Sequence, residues 1–243
     1  MQSIGILVAL PDEGRTLIRR RLSFESLTPL PQGHWLAVSG AGPDAAERHA
    51  QTLVAQGVSG LVSWGCAAAL NQHLSPGDLL LPERVRSAQG QDLFVDAEWH
   101  AEVKSRLAPH HAPRTETLIE SPVVVASAQE KRSLHDASGA AAVDMESAGV
   151  ARVAAAHGLP FLVIRSIADS AQLDFPNALL DALNPRGDVR MGALLSGLLR
   201  SPRAIPELMT LGRHFNAAMK TLHSTRALLG DDFQHPKTDS TAQ

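Results

Sequence analysis

The chain reads FLVIRSIADS from residue 161 to residue 170, an apolar run that leads directly into an acid. The run Phe161–Ile167 has the length and composition of a buried strand. Asp169 follows at the carboxyl end of that strand, where partial removal from water would raise the pKa of its carboxyl group and suit it to general acid catalysis. Two plainer interpretations stay open, in which Asp169 caps a helix or forms a salt bridge to Arg165.

A second junction of this kind lies upstream, where the chain reads Val143-Asp144-Met145-Glu146. An Ala-rich helix is predicted to follow over Glu146–His157, ended by a glycine and a proline at positions 158 and 160. Either both acids complement the dipole of this helix, or Glu146 points into a cleft. In the second case Glu146 would accept hydrogen bonds from vicinal hydroxyls, with Met145 as an apolar floor.

Short apolar runs alternate with helical patterns along the first two thirds of the chain. This alternation is typical of an α/β protein, and it predicts a largely parallel sheet that is covered on both faces. A helix is predicted over Pro43–Gln56, which has proline and aspartate in its first turn. The predicted strands are Ile4–Leu10, Leu36–Ser39, Gly60–Trp64, Leu79–Pro82, Val123–Ser127 and Phe161–Ile167.

Polar and glycine residues follow three further strands, and ligands of parallel α/β sheets bind at the carboxyl ends of strands. The first strand leads to Glu13, the second to Gly40-Ala41-Gly42 and the third to Gly65-Cys66-Ala67. The triplet at 40–42 is half of a dinucleotide fingerprint without the third glycine, which disfavours an NAD-dependent enzyme. Both glycine segments are either tight turns or backbone cradles for an anionic or sugar ligand.

The chain after Ala171 has a different character. A loop is predicted over Leu173–Arg190 with a short helix at Ala178–Leu183, and helices are predicted over Met191–Leu199 and Ala204–Leu229. The last helix either packs on the domain or offers a basic amphipathic surface to a lipid or a partner. We predict a catalytic domain over residues 1–200, a helical extension over 201–230 and a disordered polar tail over 231–243.

Composition limits the class of protein. With 44% hydrophobic and 19% charged residues, the chain has enough apolar surface for a core, which excludes a disordered protein. The formal charge of -3 gives no global field that would attract nucleic acid. Cys66 is the single cysteine, which excludes an intramolecular disulfide and a cysteine-based zinc site. The N-terminus resembles a first strand rather than a signal peptide, and a cytoplasmic enzyme is expected.

These segments, in this order, resemble the superfamily of purine nucleoside phosphorylases and methylthioadenosine/S-adenosylhomocysteine nucleosidases. The resemblance covers most of residues 1–171, and its most specific parts are Asp144–Glu146 and Arg165–Asp169. It implies a three-layer fold with a central mixed sheet flanked by helices. The segment at 184–187, the segment at 198–202 and the long basic helix resemble the branch called hopanoid-associated phosphorylase. That branch implies removal of adenine from adenosylhopane to give ribosylhopane.

The resemblance also implies a role for individual residues. Glu13 would activate water, Glu146 would hold the ribose hydroxyls, and Asp169 would protonate the purine at N7. The implied substrate-binding residues are Ala9, Ala41, Gly65, Cys66 and Ala67 around the sugar and the nucleophile, Met145 in the ribose clamp, and Phe175 as an aromatic lid.

Three positions depart from the pattern of the superfamily. Cys66 stands in place of a serine, so a hydroxyl hydrogen bond is lost or weakened. Ala168 replaces the serine that precedes the acid. The segment Ala126–Lys131 replaces an aromatic segment that stacks on the purine, which puts base stacking in doubt.

The nucleophile is expected to be water rather than phosphate. Phosphate requires a cationic cradle, yet the third strand end carries no arginine, Glu13 would repel the anion, and Arg15 belongs to a helix beyond the site. If the reaction were phosphorolytic, inorganic phosphate would be the co-substrate; no cofactor and no metal are expected. The resemblance implies a homodimer, and residues 204–229 could meet the inner membrane face peripherally. The alternatives are a phosphorylase, a plain methylthioadenosine nucleosidase and a nucleoside-binding module with an inert cleft.

Overall fold

The computed structural model describes residues 3–182, 184, 187, 204–230 and 233. In this part of the chain a single mixed sheet is flanked by helices. The strands are β1 Ile4–Val8, β2 Ser26–Pro29, β3 Trp35–Val38, β4 Gly60–Ala69, β5 Leu79–Leu80, β6 Arg84–Arg86, β7 Asp92–Phe94, β8 Leu118–Glu120, β9 Ala142–Asp144 and β10 Phe161–Asp169. The helices are α1 Pro11–Gly14, α2 Pro43–Ala55, α3 Ala97–Leu107, α4 Ala128–Ser138, α5 Ser147–Ala156, α6 Asn177–Leu180 and α7 Ile205–Leu229, and Pro31–Gly33 is a 3-10 turn.

Strand β4 lies at the centre of the sheet and connects its two halves. The strand order is β2-β3-β1-β4-β9-β8-β6-β7, and β10 pairs with both β4 and β5. Strands β1 and β10 run parallel to β4, whereas β9 pairs antiparallel with its last residues. Antiparallel pairing also joins β2 to β3, β5 to β10 and β6 to β7. The sheet is therefore mixed, as the resemblance implies, and less parallel than the alternation of strands and helices predicts.

The central strands are buried on both faces. Along β1, Ile4, Ile6 and Val8 pack into one core while Leu7 packs into the other, because successive side chains of a strand point to opposite faces. Helices α2 and α5 cover the face that holds Leu7. Gly5 allows this close approach, since a Cβ there would lie 3.0 Å from the Cβ of Leu53 on α2.

The opposite face is covered by α3 and α7. Helix α7 packs against β10 and buries Ala218, Leu222 and Leu229. The predicted packing of this helix on the domain is thus confirmed for its C-terminal half. Near its N-terminus, Ile205 and Met209 remain 45% and 63% exposed.

Two sequence predictions are corrected by the structure. Residues 123–127 form no strand, and Val123 and Val124 are 65% and 41% exposed. The apolar run was misleading because it lies in an irregular segment beyond β8. The first strand ends at Val8 rather than at residue 10, because Pro11 begins the short helix α1.

Several predictions fall partly or wholly outside the described residues. The predicted helix at 191–199 lies outside them, and the predicted helix at 178–183 is observed as Asn177–Leu180. The predicted tail at 231–243 also lies outside them, apart from Phe233. That residue is 1% exposed, and its ring meets Trp64 edge-on with the centroids 5.8 Å apart. Within the described ranges, no helix combines the length and the hydropathy needed to span a bilayer.

Candidate active site

Glu13 is held by backbone N–H groups just beyond β1 and within β4. Its Oε2 atom accepts hydrogen bonds from the N–H groups of Ala9 at 3.0 Å and Leu10 at 2.9 Å. Its Oε1 atom accepts a hydrogen bond from the N–H of Cys66 at 2.8 Å. Burial raises the pKa of Glu13, whereas the Arg165 guanidinium and these three N–H groups act in the opposite direction. The short helix α1 thus places a carboxyl group of raised pKa in a fixed orientation.

Gly65 makes the close approach of Glu13 and Arg165 possible. A Cβ at position 65 would overlap both the Glu13 carboxyl group and Nη1 of Arg165. The structure therefore explains why a glycine stands in the middle of β4, a position where glycine ordinarily weakens a strand.

Arg165 lies on β10 and binds Asp144, the last residue of β9, and Glu146 just beyond it. Its Nη2 atom lies 2.6 Å from Oδ2 of Asp144 and 3.7 Å from Oε2 of Glu146. The same nitrogen donates hydrogen bonds to the hydroxyls of Ser63 at 2.8 Å and Ser147 at 3.1 Å. Its Nε and Nη1 atoms make no hydrogen bond to any described residue. Nη1 is the nitrogen closest to Gly65, so the guanidinium retains donors on the side of Glu13.

Glu146 connects this cluster to the turn after β3. Its Oε1 atom accepts a hydrogen bond from the N–H of Gly42 at 3.0 Å. Gly40 and Gly42 have φ angles of 80° and 104°, which explains why glycine is needed at both positions of the turn. Burial and the neighbouring Asp144 carboxylate raise the pKa of Glu146 to about 8, although Arg165 opposes this shift.

Asp169 ends β10, four residues beyond Arg165. Its Oδ2 atom lies 2.5 Å from Nζ of Lys131, which comes from the first turn of α4. Burial raises the pKa of Asp169 to about 6, and the Lys131 ammonium acts against this shift. The salt bridge to Arg165 that the sequence left open for Asp169 is wrong, because Arg165 pairs with Asp144 and Lys131 pairs with Asp169.

The remaining predicted residues lie around these groups. Cys66 is half-buried, and burial together with Glu13 raises the pKa of its thiol well above the ordinary value, so the thiol is neutral. Phe175 lies beside Lys131, with Nζ 5.5 Å from the ring centroid. Ala9 and Ala67 are buried at the ends of β1 and within β4, whereas Ala41 and Met145 are partly exposed in the turns before α2 and α5. Their roles in binding stay predictions.

Arg165 and Lys131 were missed as site residues when only the sequence was considered. A cation inside the otherwise apolar strand Phe161–Asp169 was a usable signal for Arg165. No comparable signal marks Lys131, since it lies among polar residues of α4. The sequence does bring forward Glu13 and Glu146, which share Arg165 as a countercharge.

The side chains of the site suit a neutral ligand that carries polar groups. Glu13, Asp144 and Glu146 lie around Arg165, so acids outnumber the cation that they share. Such a cluster can accept hydrogen bonds from hydroxyl groups and can take up a proton from a bound water. Within the described part of the chain, no group of three histidine, cysteine or acidic side chains is arranged to hold a metal ion.

Solved structures of nucleoside-cleaving enzymes share this fold. A 5'-methylthioadenosine/S-adenosylhomocysteine nucleosidase of Helicobacter pylori matches at 20% identity and a TM-score of 0.67, covering 94% of this chain and 96% of that one. Futalosine hydrolase of the same organism matches at 20% identity and a TM-score of 0.66, covering 92% and 97%. A methylthioadenosine/S-adenosylhomocysteine nucleosidase of Neisseria meningitidis matches at 16% identity and a TM-score of 0.68, covering 94% and 98%. At these identities the likeness shows the fold alone.

Two comparisons concern the sequence itself. No curated protein sequence matches the chain. A family model described as the phosphorylase superfamily matches residues 3–199, and this match confirms the superfamily that the sequence blocks indicated. Because the matched residues make up well over half of its length, the chain belongs to the phosphorylase superfamily.

Proposed function

We propose that the protein hydrolyses the N-glycosidic bond of an adenine nucleoside and releases adenine. The observation that carries this proposal is the cluster in which Arg165 lies beside Glu13 at Gly65 and beside Glu146 through its other terminal nitrogen. Membership of the phosphorylase superfamily supports an enzyme of the nucleosidase or phosphorylase type. The names of structural neighbours, which include methylthioadenosine nucleosidases and a futalosine hydrolase, support a nucleoside as the substrate class.

The proposed reaction begins with cleavage of the bond between C1′ of the sugar and N9 of the base. The bonding electron pair goes to N9, and a proton from Asp169 goes to N7, so that adenine leaves as a neutral molecule. General acid assistance of this kind contributes roughly 10²–10⁴-fold to the rate. A pKa of about 6 leaves Asp169 protonated in about a tenth of the molecules at pH 7, against far fewer for an aspartate with its ordinary pKa.

The sugar becomes cationic as the base departs, and the two glutamates act on that side of the bond. Glu146 accepts hydrogen bonds from the 2′ and 3′ hydroxyls, and these bonds strengthen as positive charge develops on the ring. Glu13 orients a water molecule and takes up its proton while the oxygen bonds to C1′. The products are adenine and the free sugar, with both protons accounted for by Asp169 and Glu13.

Charge favours water over phosphate as the nucleophile. A phosphate ion carries close to two negative charges and needs several cationic donors to leave water. Arg165 already binds Asp144 and the serine hydroxyls of residues 63 and 147 through one nitrogen, and the acids of the cluster would repel the anion. Phosphorolysis is the second candidate, and the products distinguish it from hydrolysis.

The proposed natural substrate is adenosylhopane, with ribosylhopane as the product. Its support is the resemblance of the segments after residue 171 to hopanoid-associated phosphorylase. The exposed Ile205 and Met209, one turn apart on α7, provide an apolar surface that could contact a lipid tail or a membrane peripherally. A homodimer is proposed on the same resemblance.

The test measures adenine and sugar products from 5'-methylthioadenosine and from adenosylhopane, each with and without inorganic phosphate. Hydrolysis predicts a free sugar product at a rate that does not depend on phosphate. A sugar 1-phosphate that forms only with phosphate would establish phosphorolysis instead. Equal adenine release by wild type, D169N and E146Q would contradict the proposed mechanism. Faster turnover of methylthioadenosine than of adenosylhopane would contradict the lipid-tailed substrate.

A further inference from the structure

Lys131 is buried in a place where lysine is unusual. Helix α4 spans residues 128–138, and Lys131 is its one buried side chain, with no exposed surface. Removing an ammonium group from water costs several kcal/mol unless partners replace the hydration. Leu134 supplies apolar packing for the same helix, so the buried charge of Lys131 calls for an explanation other than packing.

The partners of Lys131 are Asp169 and the loop that follows it. Its Nζ atom lies 2.5 Å from Oδ2 of Asp169. The same atom donates hydrogen bonds to the backbone oxygens of Ser170 at 2.9 Å and Leu173 at 2.8 Å. Through two hydrogen bonds and one ion pair, Lys131 fixes the acid and the segment 170–173 in a single arrangement.

Building on the proposed role of Asp169 as the general acid, we propose that Lys131 is its positioning residue. Lys131 holds the Asp169 carboxyl group in place and stabilises the negative charge that remains there once the proton has passed to N7 of the base. During that step the proton leaves Asp169, the base departs neutral, and the new carboxylate is already 2.5 Å from an ammonium group. Lys131 itself keeps its protons and acts through Asp169.

The strength of the acid shows why this partner matters. Burial alone would make Asp169 a weak acid that holds its proton too tightly, whereas Lys131 lowers its pKa through charge and hydrogen bonding. The balance leaves the pKa at about 6, and a general acid works best when its pKa lies near the working pH. Without Lys131, Asp169 would stay protonated to higher pH but would give up its proton less readily.

Other groups face this pair and must be considered in any pH profile. The carboxylate of Asp174 raises the pKa of Asp169, and the backbone N–H of Ser170 lowers it. From α7, His214 lies near Lys131, and its pKa is lowered by burial first and then by Arg213 and Lys131. Asp174 also ties the same loop to α4, since its Oδ1 atom accepts a hydrogen bond from the N–H of Ala128 at 2.6 Å.

The test is the pH dependence of kcat/KM for adenine release from 5'-methylthioadenosine by wild type, K131M and K131R. We expect K131M to lower the plateau at least 10-fold and to move the alkaline limb upward by about one pH unit or more, because an opposite charge at this distance lowers an acid's pKa by 1–3. K131R keeps the charge and should leave the limb near that of wild type. R132M, which removes the same charge from the exposed neighbouring position, should leave both the plateau and the limb unchanged.

Two further variants separate tuning of the acid from support of the loop. D174N keeps an oxygen that can accept from the N–H of Ala128 but removes a negative charge. The alkaline limb should therefore move to slightly lower pH, opposite to its shift in K131M. H214Q should leave the limb in place, which excludes His214 as its source. A K131M enzyme that is slower at every pH with an unmoved limb would overturn the inference and leave Lys131 a structural residue. If circular dichroism shows that K131M is unfolded, K131Q is measured with the same expectation.

Failure of the proposed function would look different. If wild type releases no adenine, or if D169N is as active as wild type, the assignment of Asp169 is wrong and the inference falls with it. If D169N loses activity and K131M keeps the limb of wild type, only the role of Lys131 is overturned.

Discussion

The three acids of the site differ in how tightly the backbone holds them. Glu13 accepts hydrogen bonds from three N–H groups, two just beyond β1 and one within β4, whereas Glu146 accepts one, from Gly42. A carboxylate that must accept a proton from water benefits from a fixed orientation, because a proton transfer depends on hydrogen-bond geometry. The contact pattern is consistent with the proposed roles, in which Glu13 is the base and Glu146 binds the sugar.

Replacing Glu13 by glutamine should lower kcat for adenine release by roughly 10²–10⁴-fold, the usual contribution of a general base. The amide cannot take up the proton of water. Its NH₂ group would also face a backbone N–H, such as that of Cys66, which in wild type donates to a carboxylate oxygen. Steady-state kinetics with 5'-methylthioadenosine checks this. The control is E102Q, which makes the same change on the exposed surface of α3 and should be as active as wild type. An E13Q enzyme within a factor of three of wild type would exclude Glu13 as the base.

Local patterns in the sequence were enough to single out Glu13, Glu146 and Asp169. Each follows a strand, and the carboxyl ends of strands are where α/β proteins bind ligands. Arg165 and Lys131 were not identified, because their importance depends on partners more than 20 residues away in the chain, Asp144 and Asp169. Spacing within a segment carries no information about such pairs.

At the scale of elements, two threonines in the C-terminal half of α7 differ in whether their hydroxyl groups are hydrogen-bonded. Thr221 donates a hydrogen bond from its hydroxyl to the backbone oxygen of Gly77 at 2.7 Å. Thr225, one turn later, is fully buried, and its hydroxyl has no hydrogen-bond partner among the described residues. A buried hydroxyl without a partner costs about 1–3 kcal/mol in mutational series.

The two threonines form a matched pair for a stability measurement. T225V replaces an unpaired hydroxyl with a methyl group of similar size, so the free energy of unfolding should rise by about 1 kcal/mol. T221V removes a hydrogen bond and leaves the Gly77 oxygen without that donor, so the free energy should fall by about 1 kcal/mol. Urea denaturation followed by circular dichroism measures both. A T225V protein less stable than T221V would contradict this account of α7.

Elements with clear start and stop signals were predicted best. Helices α2, α5 and α7 lie within two residues of their predicted bounds. Strands β6, β7, β8 and β9, on one side of β4, are three residues long, which is too short for a periodic pattern to show in the sequence. They form because neighbouring strands pair with them. The exposed apolar run at 123–127 shows the converse, since hydrophobicity without a pairing partner makes no strand.

For the molecule as a whole, α/β architecture follows from the sequence but the mixture of strand directions does not. Strand β4 is ten residues long, so its first four residues pair with β1, nearly its whole length pairs with β10, and its last two residues pair with β9. The sequence prediction ended this strand at Trp64, and the part beyond it contains Gly65 and Cys66. The extra length thus carries the site to the middle of the sheet, where the acids from β1 and β9 reach Arg165.

Burial of Glu146 and Asp169 should make stability depend on pH. The pKa of Glu146 rises from 4.5 to about 8 on folding, and that of Asp169 rises from 3.8 to about 6. An acid whose pKa is raised in the folded state stabilises the fold below its unfolded pKa, and this contribution is lost as pH rises through the folded pKa. The stabilising contribution of these two groups is therefore lost between about pH 4 and about pH 8. Within this range, both groups stabilise the fold more at lower pH.

The prediction is that E146Q reduces the loss of stability between pH 5 and pH 8.5. Glutamine remains neutral throughout, so the free energy of unfolding of E146Q minus that of wild type should increase with pH. The increase should be steepest between about pH 5.5 and pH 7, where the carboxyl group is ionised in the unfolded chain and still protonated in the folded protein, and it should level off above pH 8. Urea titrations at half-unit pH steps measure this difference, in which the titration of histidines elsewhere cancels. E102Q, on the exposed surface, should stay parallel to wild type. A difference between E146Q and wild type that is flat across this range, or that falls as pH rises, would show that Glu146 is already ionised at neutral pH, with Arg165 outweighing both burial and Asp144.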